Sequence, residues 1–514
     1  MAGLDGVLSK LLENLCLRIT GADCEHHRAF DAILGLADLS ADERAQIDLA
    51  RPVASWPIHA ALIDRLWNKY SKALGTEVQD RPFDYLLWDV LDFATTFAVQ
   101  RADAEHLAIG MLVLEGVVSD LATANWDGLL EAAMVELGRP NETFLVAVTG
   151  GDLHGPPGIG RSYKFHGCAN RAIANEAEYR PLLVAREAAI THWALNPRFT
   201  QMREQLRALI ARSRTLMIGL SRQDTNIQQL FSANGCAWNS APPPIVFAAQ
   251  ELSEGQKLSS RVRTRVTMRP TVTRFGQMPP CLPSETHCCW LLLRTMFSKL
   301  AALAGLLTSP AVGATGKQSL VDGLKALEGA AARAGNANRY DCARTIAALI
   351  GRVSEQFLGR PGSAGRRPYE PLSAQPAHLM QQDPAAEFSA RPEAAAALGL
   401  IGQGLVASGR LRWTIRSSRR AGHCDLSPRR PRPACFSPPM TIISTSSSRP
   451  GHLTRQTTTL SSSARARSLP GNSEAHPSPG GQARRRRAML TSASYSSSAS
   501  FDEVQSRFNS EVGL

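Results

Sequence analysis

Several classes of protein are excluded by what this chain does not contain. Its ten cysteines are scattered through 514 residues without one Cys-x-x-Cys pair. That spacing is the usual sign of a zinc knuckle or a dithiol motif, so the expectation is buried thiols in a reducing, cytoplasmic compartment. No apolar stretch with a small-residue cleavage site opens the chain, and no run of about 18 apolar residues occurs. Neither a secretory leader nor a membrane partner is expected. Lysine is missing from residues 411–500, and so is nearly all negative charge: 15 Arg stand against two acids, Asp425 and Glu474. The formal net charge of +12 therefore belongs to the tail, and the first 410 residues are close to neutral. A nucleic-acid reader with a basic folded body is not what this distribution describes.

The tail is rich in Ser, Arg and Pro, with low-complexity tracts at 446–448, 461–463, 484–487 and 496–498. Such a composition buries too little apolar surface to offset ordering entropy, and 411–514 is expected to be disordered. Residues 259–296 share the Arg-rich, Lys-free character, with Glu285 as the only acid. Both segments have the composition of a GC-rich reading frame translated out of register; for the tail, a natural basic extension is the alternative.

The body has periodic order. Leu4, Val7, Leu8, Leu11, Leu12 and Leu15 recur at helical spacing and predict an amphipathic helix within residues 1–20. Helical patterns follow at 42–49, 58–70, 83–97 and 107–118, then at 129–137 and 199–211. Short apolar, β-branched or aromatic runs predict strands at 143–148, 163–165, 215–218 and 245–248. Strands alternating with helices imply an α/β fold, a Rossmann-like parallel sheet with inserted helices. Helical spacing returns at 298–360. The expected organisation is an α/β domain over 1–250, an irregular linker over 251–297, an α-helical C-terminal region over 298–410, and the disordered tail.

Three short apolar or aromatic runs, one of them at 121–124, end in chemically capable residues. They are Leu121-Ala122-Thr123-Ala124-Asn125-Trp126-Asp127, Tyr163-Lys164-Phe165-His166-Gly167, and Leu216-Met217-Ile218-Gly219-Leu220-Ser221 with Asp224, Asn226 and Ile227. Strands that deliver side chains to a crevice at their carboxyl ends look like this. An Asn amide can bond water and ribose hydroxyls, a carboxylate can accept from an amide NH2, and His has an ordinary pKa near neutrality. Each motif also has a structural use. Asn125 and Asp127 suit a strand-end turn or a helix N-cap, His166 a hydrogen-bonded structural histidine, and Ser221 to Asn226 a loop and cap.

In this order the three motifs resemble the sirtuin-like NAD-hydrolase family, which includes bacterial NAD-cleaving enzymes, many of them antiviral defence effectors. Thr123-Ala124-Asn125-Trp126-Asp127 is similar to the family's Thr-Thr-Asn-Tyr-Asp, Phe165-His166-Gly167 to its Leu-His-Gly, and the third run to its Ile-Gly-Tyr-Ser-Leu-Ser-Asp-Pro-Asn-Ile. The resemblance implies Asn125 and His166 as catalytic residues, orienting water and ribose and acting as base. It implies Asp127, Gly219, Ser221, Asp224 and Asn226 as NAD-binding residues. It implies NAD as substrate or ligand, with nicotinamide and ADP-ribose as products, and a homo-oligomer or a partner defence protein. Between His166 and Ser221 only Cys168 is present, so the four-Cys zinc module of deacylating relatives is not expected. The family's Gly-Ala-Gly-x-Ser loop is missing, while Ala2-Gly3-Leu4-Asp5-Gly6-Val7-Leu8 resembles the segment that follows it. The expectation is a chain truncated before its first strand and glycine loop. Two alternatives remain at this point: a catalytically impaired sirtuin-like binding or oligomerising module, and a basic-tailed nucleic-acid-binding protein with nonspecific tail contacts.

Overall fold

The computed structural model describes residues 4–97, 101–139, 144–155, 158–213, 215–218, 227, 230, 245–247, 287–335, 340, 343, 369–382 and 391–407. All of them lie in one of the chain's two units, Met1–Leu411 with Leu490–Leu514. The expectations for 411–500, and for Gly219, Ser221, Asp224 and Asn226, fall outside the described residues.

The chain opens with a helical layer. Helix α1 (Leu4–Cys16) buries Val7, Leu8, Leu11, Leu12 and Leu15, the stripe read from the sequence. Helix α2 (Glu25–Leu36) is capped by Cys24, whose sulfur accepts the His27 N–H. The pattern at 42–49 yields only the short α3 (Ala41–Arg44), started by a Ser40–Glu43 capping box. Nothing on α3 is buried, so no packing face carries the helix further. Helices α4 (His59–Trp67), α5 (Tyr70–Ala73) and α6 (Phe93–Phe97) follow, with a π-helical turn at Leu86–Val90. Their apolar faces close on α1 and α2 around Phe30, Trp56, Leu62 and Phe93.

Helix α7 (Ala104–Leu114) leads into a parallel sheet of three described strands: β1 (Asp120–Thr123), β2 (Phe144–Ala147) and β3 (Gly160–Lys164), with α8 (Leu129–Glu136) between the first two. The spatial order is β1-β3-β2, so β3 is central. Helices cover both faces. Leu121 packs in a core with α7 and α8, whereas Ala147 and Tyr163 belong to another with α12 (Thr200–Arg212). Between β3 and α12 run α9 (Ala169–Ala174), α10 (Glu176–Tyr179) and α11 (Glu187–His192). The parallel α/β fold class is thus present. One expectation is corrected: β4 (Leu216–Ile218) does not join the described strands of this sheet but pairs in parallel with β5 (Ile245–Phe247) in a second one.

The expected irregular linker through 297 is also corrected, because α13 (His287–Gly305) begins well before residue 298. Cys288, Leu292, Met296, Leu300 and Leu303 form its buried stripe. The continuous apolar Trp290-Leu291-Leu292-Leu293 hides that period in the sequence. By length and composition α13 is apolar enough to cross a membrane, but it carries Arg294 and Lys299 and packs in the core with α7, α14 (Ala314–Gly335) and α15 (Arg391–Ala407). Where α14 crosses α15, a Cβ on Gly402 would lie 1.8 Å from the Gly323 carbonyl oxygen, so the two backbones touch directly. The described cysteines, Cys16, Cys24, Cys168, Cys288 and Cys289, are all free thiols. Burial pushes the Cys16 thiol up to about 12 and raises that of Cys288 as well.

Candidate functional site

The parallel pairing of β1 with β3 places two of the motifs side by side. Their register runs from Asp120 opposite Arg161 to Thr123 opposite Lys164. Beyond it the two carboxyl ends emerge together, one carrying Ala124-Asn125 and the other Phe165-His166. This is the position at which open α/β sheets bind ligands. Ile227, which closes the third motif, is buried in one core with Tyr163, Phe165 and Cys168.

Asn125 is exposed. Its N–H is accepted by Thr123 Oγ1 at 3.0 Å, so a threonine side chain turns the chain out of the strand. Trp126 anchors the other side of this turn. Its ring lies 5.5 Å from Phe97 and 6.2 Å from Phe93, and its carbonyl accepts the Ala169 N–H at 2.8 Å. The exposed Asn125 is therefore fixed by a neighbour sunk into the helical layer.

Asp127 is only 5% exposed. Its Oδ1 accepts the Leu129 N–H at 3.2 Å and so closes a turn just ahead of α8, whose N-cap is Gly128; of the two structural uses this is the strand-end turn, not the cap. Its Oδ2 is buried and has no partner among the described residues. A buried carboxylate oxygen left this way costs about 1–3 kcal/mol or more unless something donates to it. Gly128 follows because a Cβ there would lie 2.2 Å from Asn170 Nδ2.

His166 is 4% exposed. Its carbonyl accepts the Val184 N–H at 2.9 Å, and its ring meets Phe165 edge-on at 4.7 Å. Trp193 holds Phe165 by donating Nε1–H to its carbonyl at 3.0 Å. Gly167 then turns the chain with φ +102°, and a Cβ on it would come within 2.9 Å of the Leu182 carbonyl oxygen. The Gly of the His-Gly pair is thus demanded by backbone geometry.

Lys164 and Glu131 belong to the site's surroundings without being residues that any motif singles out. Lys164 closes β3 with its side chain buried, and its ammonium sits 2.6 Å from Glu131 Oε1 on α8. The one available sign was a lysine flanked by the aromatics Tyr163 and Phe165 within a buried strand.

The end of β2 is tied down by the Asp152 carboxylate. Asp152 Oδ2 accepts from the Val148 and Thr149 N–H groups at 2.9 and 2.7 Å, and its Oδ1 pairs with Arg171 at 2.7 Å. Burial alone would raise this carboxyl, but Arg171 and the two amides outweigh it and hold it below the ordinary value. A Cβ on Gly150 would lie 1.5 Å from Gln201 Oε1, so the space beside that residue is already filled.

Residues 119–265 match the family model described as SIR2-like domain. They begin one residue before β1 and include all three motifs. No curated protein and no solved structure matches the chain.

Proposed function

We propose that this protein is a sirtuin-like NAD glycohydrolase, cleaving NAD to nicotinamide and ADP-ribose. The observation that carries the reading is the adjacency of β1 and β3, whose parallel ends bring Asn125 and His166 to one edge of the sheet. The SIR2-like match over the same segment supports it.

The chemistry asked of the site is modest in kind. The nicotinamide–ribose bond breaks with its electron pair going to the ring nitrogen, so nicotinamide leaves neutral. Water adds to the ribose carbon, and its proton passes to a base. Asn125, exposed and held by the Thr123 and Trp126 contacts, suits the task of orienting ribose and water. His166 suits the base. The partnerless Oδ2 of Asp127 fits an amide NH2 of the nicotinamide, a donor that would satisfy it. The role as a defence effector that depletes cellular NAD, alone or with a partner, belongs to the same proposal and rests on the family resemblance.

The test is to incubate the full chain with NAD, without an acyl-lysine substrate, and to separate the products by chromatography. Nicotinamide and ADP-ribose should accumulate in equal amounts. Asn125→Ala and His166→Ala should each lower the rate by about a hundredfold, the scale of positioned acid–base groups. Wild-type protein that binds NAD without cleaving it would replace this reading with that of a binding module. Undiminished cleavage by both variants would show that the site is elsewhere.

A further inference from the structure

We propose that Lys164 is a positioning residue of this site, one that ties the turn carrying Asn125 to the strand end carrying His166. The inference rests on the reading of Asn125 and His166 given above.

Backbone pairing between β1 and β3 stops at Thr123 opposite Lys164. Past that point no ladder holds Asn125 level with His166. Lys164 stands at the last rung, and its ammonium reaches across the gap. Nζ donates to the main-chain carbonyl of Asp127, pairs with Glu131 Oε1 at 2.6 Å, and lies 3.7 Å from Cys168 Sγ. An ammonium has three donors, and three partners on different elements use them. Asp127 lies in the turn, Glu131 in the first turn of α8, and Cys168 just ahead of α9. One buried cation thereby joins the β1–α8 connection to β3, beside the backbone link from Ala169 N–H, at the start of α9, to the Trp126 carbonyl.

Stability alone is a weak reason for such a group. Lys164 is 1% exposed, and a buried ion pair is commonly no better than apolar side chains of similar size. Apolar replacements would also leave the second, partnerless oxygen of Glu131 without its desolvation cost. What an apolar pair cannot do is grip the Asp127 carbonyl. That grip fixes the direction in which Asn125 leaves the strand, two residues earlier.

The experiment separates the two roles with a pair of variants. Lys164→Met strands the Glu131 carboxylate and should destabilise the fold. Lys164→Met combined with Glu131→Leu removes both charges and should recover most of that loss. Turnover should not recover with it. In the double variant kcat for NAD cleavage should stay about a hundredfold below wild type, the scale of a misplacement near 1 Å, while KM moves by less than about threefold. Independently of catalysis, the Leu129 amide, which bonds to Asp127, should exchange its hydrogen about tenfold faster in the double variant than in wild type. A stable double variant with wild-type kcat, or with wild-type exchange at Leu129, would overturn the proposal and leave Lys164 as a structural charge. If wild-type protein releases no nicotinamide, the glycohydrolase reading fails by itself, and Leu129 exchange still decides whether Lys164 holds the turn.

Discussion

Replacing Lys299 with Met tests how the C-terminal helices are joined to the sheet. Lys299 on α13 is fully buried and so is Glu115, the residue that ends α7 shortly before β1 begins. The ammonium donates to Glu115 Oε2 at 2.7 Å, to the Glu115 carbonyl at 2.6 Å and to the Ser373 carbonyl at 2.8 Å. The other carboxylate oxygen accepts from the Tyr369 hydroxyl at 2.5 Å and the Leu372 N–H at 2.9 Å. Burial, with the Glu115 charge beside it, holds the Tyr369 hydroxyl well above its ordinary pKa. Three segments distant in sequence thus share one charge pair. Met matches the lysine stem but leaves a buried carboxylate with two neutral donors and takes a donor from two carbonyls. Removing one partner of a buried pair costs about 3–5 kcal/mol. At roughly 2–4 °C per kcal/mol, the midpoint of thermal unfolding followed by far-UV circular dichroism should fall by roughly 6–20 °C. Lys317→Met is the control: that ammonium, in an exposed bond, donates to the Gly305 carbonyl at 2.9 Å, and its loss should cost about 1 kcal/mol or less. A Lys299→Met protein that melts within the range of the control would refute the assignment of this network as the joint.

Two further outcomes follow from local geometry. Gly167→Ala forces φ +102° on an L side chain and drives a Cβ to 2.9 Å from the Leu182 oxygen. It should cost at least about 1–3 kcal/mol in a denaturant titration and disturb His166, which a wild-type melting midpoint would contradict. Asp103 caps α7, accepting the His106 N–H at 3.0 Å and facing the His106 ring at 2.6 Å, and these bonds hold its carboxyl at about 2 against an opposing burial effect. A carboxyl whose folded value is depressed contributes stability above its unfolded value, about 3.9, and loses it as pH falls towards about 2. Asp103→Ala should therefore cost about 1 kcal/mol near neutrality, and the gap from wild type should close on acidification; a gap that widens would show another group to be responsible.

Much of this was legible in the residues. The Leu4–Leu15 stripe, the short runs that become β1, β2 and β3, and the polar residues that close them report their own environment, because periodicity records which side of an element is covered. It does not record by what. Glu115 and Lys299 meet across a long stretch of chain, and neither residue alone distinguishes a buried partner from a solvated one. Lys164 was hidden for the same reason, since lysine is ordinarily a surface residue and its value lies in Glu131 and a carbonyl on another element. The separation of β4 from the first sheet was equally invisible: a buried strand reads the same whichever sheet receives it. At α13 the difficulty was excess of signal, for an unbroken apolar run conceals the helical repeat within it.

The order β1-β3-β2 has a consequence for how the molecule is made. The two strands synthesised first are not neighbours; each pairs only with the third among the described strands. A nascent chain that has emitted β1 and β2 carries two unpaired apolar edges with nothing yet to fill the slot between them. Only when Gly160–Lys164 arrives can the sheet close, in a step that depends on contacts far apart in sequence and is slow for that reason. When it does, Gly160 lets it lie close on α7, where a Cβ would strike Val113 at 2.5 Å. The last strand to enter is also the one that carries His166, so the two halves of the site come together in the same event that completes the sheet. Folding intermediates trapped before it would expose strand edges open to pairing with other chains.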